Sequence, residues 1–226
     1  MPSILSKILI VGGAVALMAG TGITPAKAAT ADDLDPAFVA EFQVNAERLG
    51  INEVTQDALL EKLANGEPLG SQVAQPVSVE HETVGNIEKR TYRYADGSAT
   101  ATELDIPQDA SSSGIAPRAV TGCTYGSGAG VIYRQNCHVY AYSLVISASF
   151  TASYSQWSTG SSVYGYKDMS ISVTGPNATY SKAQFIVKSG GTAVQLWFNY
   201  FNGLTTGSAW LQLNTSITSA WTTQSL

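Results

Sequence analysis

The chain of 226 residues carries 17 acidic and 12 basic side chains, a formal net charge of −5, two His and two Cys, and only 13% of its residues are charged. That balance leaves no basic footprint for nucleic acid and little material for metal sites or histidine-based catalysis. The length allows one or two domains with a sizeable core.

Residues 1–29 read as a signal peptide. Lys7 supplies the positive start, Ile8 to Ile23 form an apolar run broken by Gly12, Gly13, Gly20 and Gly22, and Ala26-Lys27-Ala28 is a small-x-small cleavage pattern. A spanning helix needs about 20 apolar residues without such breaks, so a cleaved, secreted, extracellular product is expected rather than an anchored one. Export sets the expectation for Cys123 and Cys137, which stand 14 positions apart: a disulfide. Closing that loop stabilises by about 3 kcal/mol in the chain-entropy model. The competing reading, a nucleophilic Cys137 beside His138, is weakened because neighbours on a strand point to opposite faces.

Averages hide a division. Residues 30–120 hold 16 of the 17 acids and six of the bases, whereas residues 121–226 hold one acid, Asp168, four bases, all four Trp and thirty Ser or Thr. Three parts follow the signal: an acidic region (30–105), a linker (106–120) with Pro107, Ser111-Ser112-Ser113-Gly114 and Pro117, and a second domain (121–226). Arg118 offers a protease site in the linker, so the acidic region is read either as a propeptide or as a permanent accessory domain.

In chain order, Asp35-Pro36 predicts a capped helix with Phe38, Phe42 and Leu49 near helical spacing and a stop at Gly50. A second helix is predicted from around Thr55, with Leu59, Leu60 and Leu63 on one face and a stop at Gly66. The pair forms a helical hairpin; a DNA-binding helix-turn-helix is disfavoured by export and by the surplus of acids. Ser78–Val84, Ile87–Tyr94 and Ser98–Asp105 read as a small meander turning at Gly85-Asn86 and at Asp96-Gly97, the second being a strong hairpin signal. From Tyr140 to Tyr154, apolar residues alternate with Ser, Thr and Ala, which predicts one long strand with one buried face. Further strands fit Val163–Val173, Ala178–Lys188, Ala193–Phe201 and Ala209–Thr218, with one or two more around Cys123–Cys137. The expected fold is α+β: a helical hairpin and small meander, then an all-β antiparallel sandwich.

Few catalytic schemes fit. Paired carboxylates need two acids flanking a bond, and the β half has only Asp168. A triad would have to use His138 or His81 with Asp168 and some Ser, and no G-x-S-x-G elbow exists. Gly126-Ser127-Gly128-Ala129-Gly130 lacks the Lys and the following helix of a phosphate loop and reads as a turn. No cofactor is implied, no metal site is expected, and the chain reads as non-enzymatic.

Surface recognition remains. In Ala193–Phe201, Gln195, Trp197 and Asn199 share the face opposite Val194, Leu196, Phe198 and Tyr200; in Ala209–Thr218, Trp210, Gln212 and Asn214 lie opposite Leu211 and Leu213. A hairpin joining these strands with position sums of 409 sets Trp197 opposite Gln212 and Trp210 opposite Asn199. The result is a wall of two Trp and four amides without charge. Indole faces stack on the C–H faces of sugars, and amides both donate to and accept from hydroxyls. The expected partner is therefore a neutral glycan of the cell wall or elsewhere, bound at or outside the cell envelope. The competing structural reading covers this wall with the acidic region or a second sheet. Two other functions stay open. The alternation in Tyr140–Tyr154 suits a pore-forming strand released from an acidic pro-region, although Lys167 or Asp168 would then face lipid at a cost of some kcal/mol. A hydrolase with an unrecognised site is the other.

Leu49-Gly50-Ile51-Asn52, Tyr94-Ala95-Asp96-Gly97-Ser98 and Thr121-Gly122-Cys123 opening a Ser/Thr-rich β half resemble, in that order, small exported two-part proteins of Gram-positive bacteria that have no assigned function. The resemblance implies secretion and a two-part organisation and transfers no catalytic residue.

Overall fold

The computed structural model describes residues 34–109 and 122–226. The signal peptide and the linker stretch around Arg118 lie outside these residues.

Helix α1 (Pro36–Arg48) starts where Asp35 accepts a hydrogen bond from the Ala37 N–H at 2.7 Å, and it buries Phe38, Phe42 and Ala46. Helix α2 (Glu53–Ala64) begins two residues before the expected Thr55, because Asn52 is its cap and accepts from the Thr55 N–H at 3.0 Å. A single further turn, α3 (Gly70–Val73), has no periodicity to announce it.

The meander forms as expected, with β1 (Ser78–Val84), β2 (Ile87–Arg93) and β3 (Ala99–Asp105). A short β4 (Gln108–Asp109) pairs in parallel with β5 (Thr124–Gly128), and β6 (Val131–Tyr142) follows. Ala129 and Gly130 both take positive φ between β5 and β6, so the glycine-rich stretch is a tight hairpin turn.

The long strand expected over Tyr140–Tyr154 is two strands, a correction to the sequence reading. After β6 the chain turns at Ser143-Leu144-Val145 and returns as β7 (Ile146–Trp157), pairing Tyr142 with Ser147. The turn is buried and contains no Gly, Pro or Asn. Ser143 Oγ holds it by accepting from the N–H groups of Val145 and Ile146 at 3.3 and 3.0 Å. All six residues Ala141 to Ile146 are buried, so burial stops alternating at the turn, and the even positions change face across it.

The remaining strands are β8 (Gly160–Val173), β9 (Thr179–Lys188), β10 (Ala193–Phe201), β11 (Thr206–Thr215) and β12 (Ala220–Ser225). Strand β11 begins and ends three residues earlier than expected, and β12 lies in a tail that the sequence left unassigned.

Pairing gives two mostly antiparallel sheets. The first runs β1-β2-β3-β6-β7-β8, with β3 on the C-terminal half of one edge of β6 and β5 on the N-terminal half of that edge. The second runs β12-β11-β10-β9. The acidic meander and the Ser/Thr-rich half therefore share one continuous sheet, joined where Ala101 to Leu104 pair with Tyr142 to Val139.

The second sheet packs on the inner face of the first, and the helices sit at one end of its outer face. Val139, Ala141, Phe150, Leu196, Phe198 and Leu211 are among the inner residues of a single cluster that also takes in the helical Phe42, Leu59 and Leu63. Between the sheets, Thr222 donates to Thr102 Oγ1 at 2.7 Å, the Gln224 amide donates to Thr100, and the Gln156 amide donates to the Ser216 and Ser219 carbonyls. Arg48 ties α1 to the outer face through Glu103 at 3.0 Å and lies 3.7 Å over the Tyr142 ring.

Asp96, in the β2–β3 turn, fastens the helical segment to the meander. It accepts from Lys62 Nζ at 2.9 Å, the Gly70 N–H at 2.6 Å, and the hydroxyl and N–H of Ser98. Burial alone raises its pKa; the Ser98 hydroxyl, Lys62 and the two backbone N–H groups outweigh it and hold the carboxyl at about 2.

Candidate functional site

The disulfide forms between Cys123 and Cys137, tying the entry of β5 to β6. His138 lies exposed on β6, its ring 6.0 Å from that of Tyr140 and its backbone N–H on Asp105. Asp168 stands on an irregular part of β8 with positive φ, 3.9 Å from Lys167, and His81 is exposed on β1. Among the described residues no three His, Cys, Asp or Glu side chains gather as metal ligands, and no helix is long and apolar enough to cross a membrane.

The six residues singled out for recognition all belong to the outer face of the second sheet. Val194, Leu196, Phe198, Ala209, Leu211 and Leu213 are buried on its inner face, which fixes Gln195, Trp197, Asn199, Trp210, Gln212 and Asn214 outward by alternation. Their partners differ from the expectation: Trp197 faces Trp210, Gln195 faces Gln212, and Asn199 faces Ser208. The register is two positions tighter than the expected one. Asn202 Oδ1 accepts from the N–H groups of Leu204 and Thr205 at 3.0 and 2.6 Å, closing the connection in four residues. A shift of two keeps every side chain on its face and exchanges only its opposite number.

Neighbouring strands complete the rows. One reads Gln184, Trp197, Trp210, Ser225; the next Ile186, Gln195, Gln212, Thr223; the third Lys188, Ala193, Asn214, Trp221. Trp221 thus joins the same face, a residue the sequence reading missed because its strand was not recognised. Lys188, at the far edge, is the one charged side chain in these rows.

A chain of amides fixes the surface between the indoles. Gln195 Nε2 donates to Gln212 Oε1 at 3.3 Å, Gln212 Nε2 to Asn214 Oδ1 at 2.5 Å, and Asn214 Nδ2 to Thr223 Oγ1 at 3.0 Å. Each amide nitrogen has two protons, so donors remain beyond those the chain uses. Trp197, Trp210 and Trp221 are all half-buried and Gln195 between them is buried; Trp210 lines a shared cavity with Ser71 and Gln72 of α3 and with Tyr92 and Tyr94.

No family model and no curated protein matches the chain. Among solved structures, it is similar to a hypothetical protein of Listeria monocytogenes EGD-e, at 18% identity over 62% of this chain and 95% of that one, with a TM-score of 0.37. A likeness of that size carries no argument about fold or activity.

Proposed function

We propose that this is a secreted, non-enzymatic binding protein acting at or outside the cell envelope, and that the outer face of its second sheet holds neutral glycan. The observation that carries the reading is the Trp197–Trp210 pair, flanked by Trp221 and a hydrogen-bonded amide chain on a surface nearly free of charge. The Cys123–Cys137 disulfide is consistent with an extracellular protein.

The magnitudes point to weak, multivalent recognition. A sugar face covering about 80 Å² of indole gains about 2 kcal/mol at 25 cal/mol per Å², and association itself costs at least about 4 kcal/mol. Two stacked units therefore only offset that cost and leave affinity well weaker than millimolar, and longer glycans gain by engaging the third indole. The test is pull-down on purified cell walls and on insoluble neutral polysaccharides. Retention of the full chain that drops at least tenfold in Trp197→Ala and Trp210→Ala, with both variants still folded, supports the reading. Undiminished retention in both variants overturns it.

A further inference from the structure

Apart from the short β4, the sheets end on four strands that lack a ladder partner on one side among the described residues: β1 and β8 of the first, β9 and β12 of the second. An open edge is a template for pairing with another chain, and proteins block it with charge, bulges or a covering group. Three of these edges are blocked. Strand β1 carries Glu80, His81 and Glu82 at its centre. Strand β8 shifts register against β7 twice, takes positive φ at Gly165 and Asp168, and exposes Lys167 beside Asp168. Strand β12 is engaged by the first sheet, where the Tyr92 hydroxyl donates to the Thr222 carbonyl at 3.4 Å.

Strand β9 has no such cover. Its one positive φ, at Lys182, lies where its register with β10 shifts, and from Gln184 to Lys188 it pairs regularly with Trp197 to Ala193. The stretch Ala183-Gln184-Phe185-Ile186-Val187 has no charge and no Pro. Lys182 and Lys188 flank it, in the positions of charges that keep a β-prone window from stacking without end. Phe185 turns inward onto the rings of Phe150 and Tyr166, at 5.5 and 5.0 Å. Val187 shares that inner face by alternation and is nevertheless 53% exposed, so the first sheet does not reach over it.

We propose that β9 pairs antiparallel with β9 of a second copy of this chain about a two-fold axis, joining the two second sheets edge to edge. The strand is complementary to itself. With the axis at Ile186, that residue meets its own counterpart on the outer face and Gln184 meets Lys188 of the second copy. On the inner face Phe185 meets Val187, so the exposed valine gains an aromatic neighbour. Centring the axis on Phe185 instead sets Lys182 against Lys188, two like charges, which selects the first register. A contact of this kind uses the same patch on both copies and closes at two. The axis stands perpendicular to the sheet, so Trp197, Trp210 and Trp221 of both copies share one surface. The inference does not depend on what that surface binds.

The test is sedimentation velocity of the full chain from micromolar to near-millimolar concentration. A dimer is expected. Ile186→Lys, which sets two cations face to face on the axis, is expected to weaken it by about a hundredfold while far-ultraviolet dichroism stays that of the parent. Gln184→Lys, at an exposed position, opposes Lys188 and weakens it too, and adding Lys188→Glu restores it; this pair carries the test should Ile186→Lys fail to fold. A monomer throughout the range overturns the proposal and leaves the β9 edge to a strand of another protein. A dimer indifferent to both substitutions overturns it by placing the contact elsewhere. Growth into larger species overturns the two-fold closure, and a dimer that Lys188→Glu does not restore overturns the register.

Discussion

The two sheets turn chemically unlike surfaces outward. On the first, side chains are consumed by one another: Arg48 with Glu103, Lys89 with Glu82, Arg93 with Glu80. Among the described residues every ion pair lies in the helices, the first sheet or its turns, as does the disulfide. The second sheet is held from within by apolar packing and at its junction with the first by hydroxyl and amide hydrogen bonds. Its outer face carries three half-buried indoles. Covalent and ionic ties thus gather on one side of the molecule, while the other relies on apolar packing and uncharged hydrogen bonds.

That separation can be broken most decisively on a single strand. Phe198→Ala, which empties a fully buried inward site, is expected to cost about 4 kcal/mol, and Trp197→Ala, its half-buried outward neighbour, about 2 kcal/mol. Urea midpoints of the two variants measure this. Equal losses would show that the outer face is core. Next in size, replacing Cys123 and Cys137 together by Ala should cost about 3 kcal/mol. Trp fluorescence, three of whose four indoles lie on the second sheet, and far-ultraviolet dichroism should still report one transition if the sheets unfold together.

Asp96→Asn follows, at about 2 kcal/mol, because it strips a carboxylate from four donors. The sign of its pH dependence is set by a folded pKa of about 2, below the unfolded value. The parent's extra stability is fully present above about pH 4 and is lost as pH falls toward 2, so acid titration of unfolding should narrow the gap between parent and Asn variant. Smallest is Glu82→Gln, which removes an exposed partner of Lys89. A change within about 0.5 kcal/mol, vanishing in molar salt, is expected in thermal melts.

The features legible in the sequence are those written in local chemistry. Asp35 and Asn52 mark helix starts, Asp96-Gly97 marks a hairpin, and the alternation in β10 and β11 assigns their faces correctly. What the sequence hid depends on tertiary context. The Ser143–Val145 turn is held by a buried serine hydroxyl among residues that equally suit a strand, so in the sequence the even apolar positions read as one longer strand. The Trp197–Trp210 pairing depends on how tightly Asn202 closes a loop, which strand patterns do not encode. Strand β12 and Trp221 sit in a Thr-rich tail with no sustained alternation.

Because β3 pairs with β6, a cut in the linker would turn the molecule into a complemented pair of fragments. A cut after Arg118 would leave both cysteines on the downstream piece, so no covalent bond would join the products. The seam at Ala101–Leu104 and the shared core would hold them instead, and the nicked protein is expected to elute as one species in native buffer and as two in urea. The same seam orders assembly during synthesis: the upstream segment carries an open β3 edge until residues 139–142 emerge to cover it.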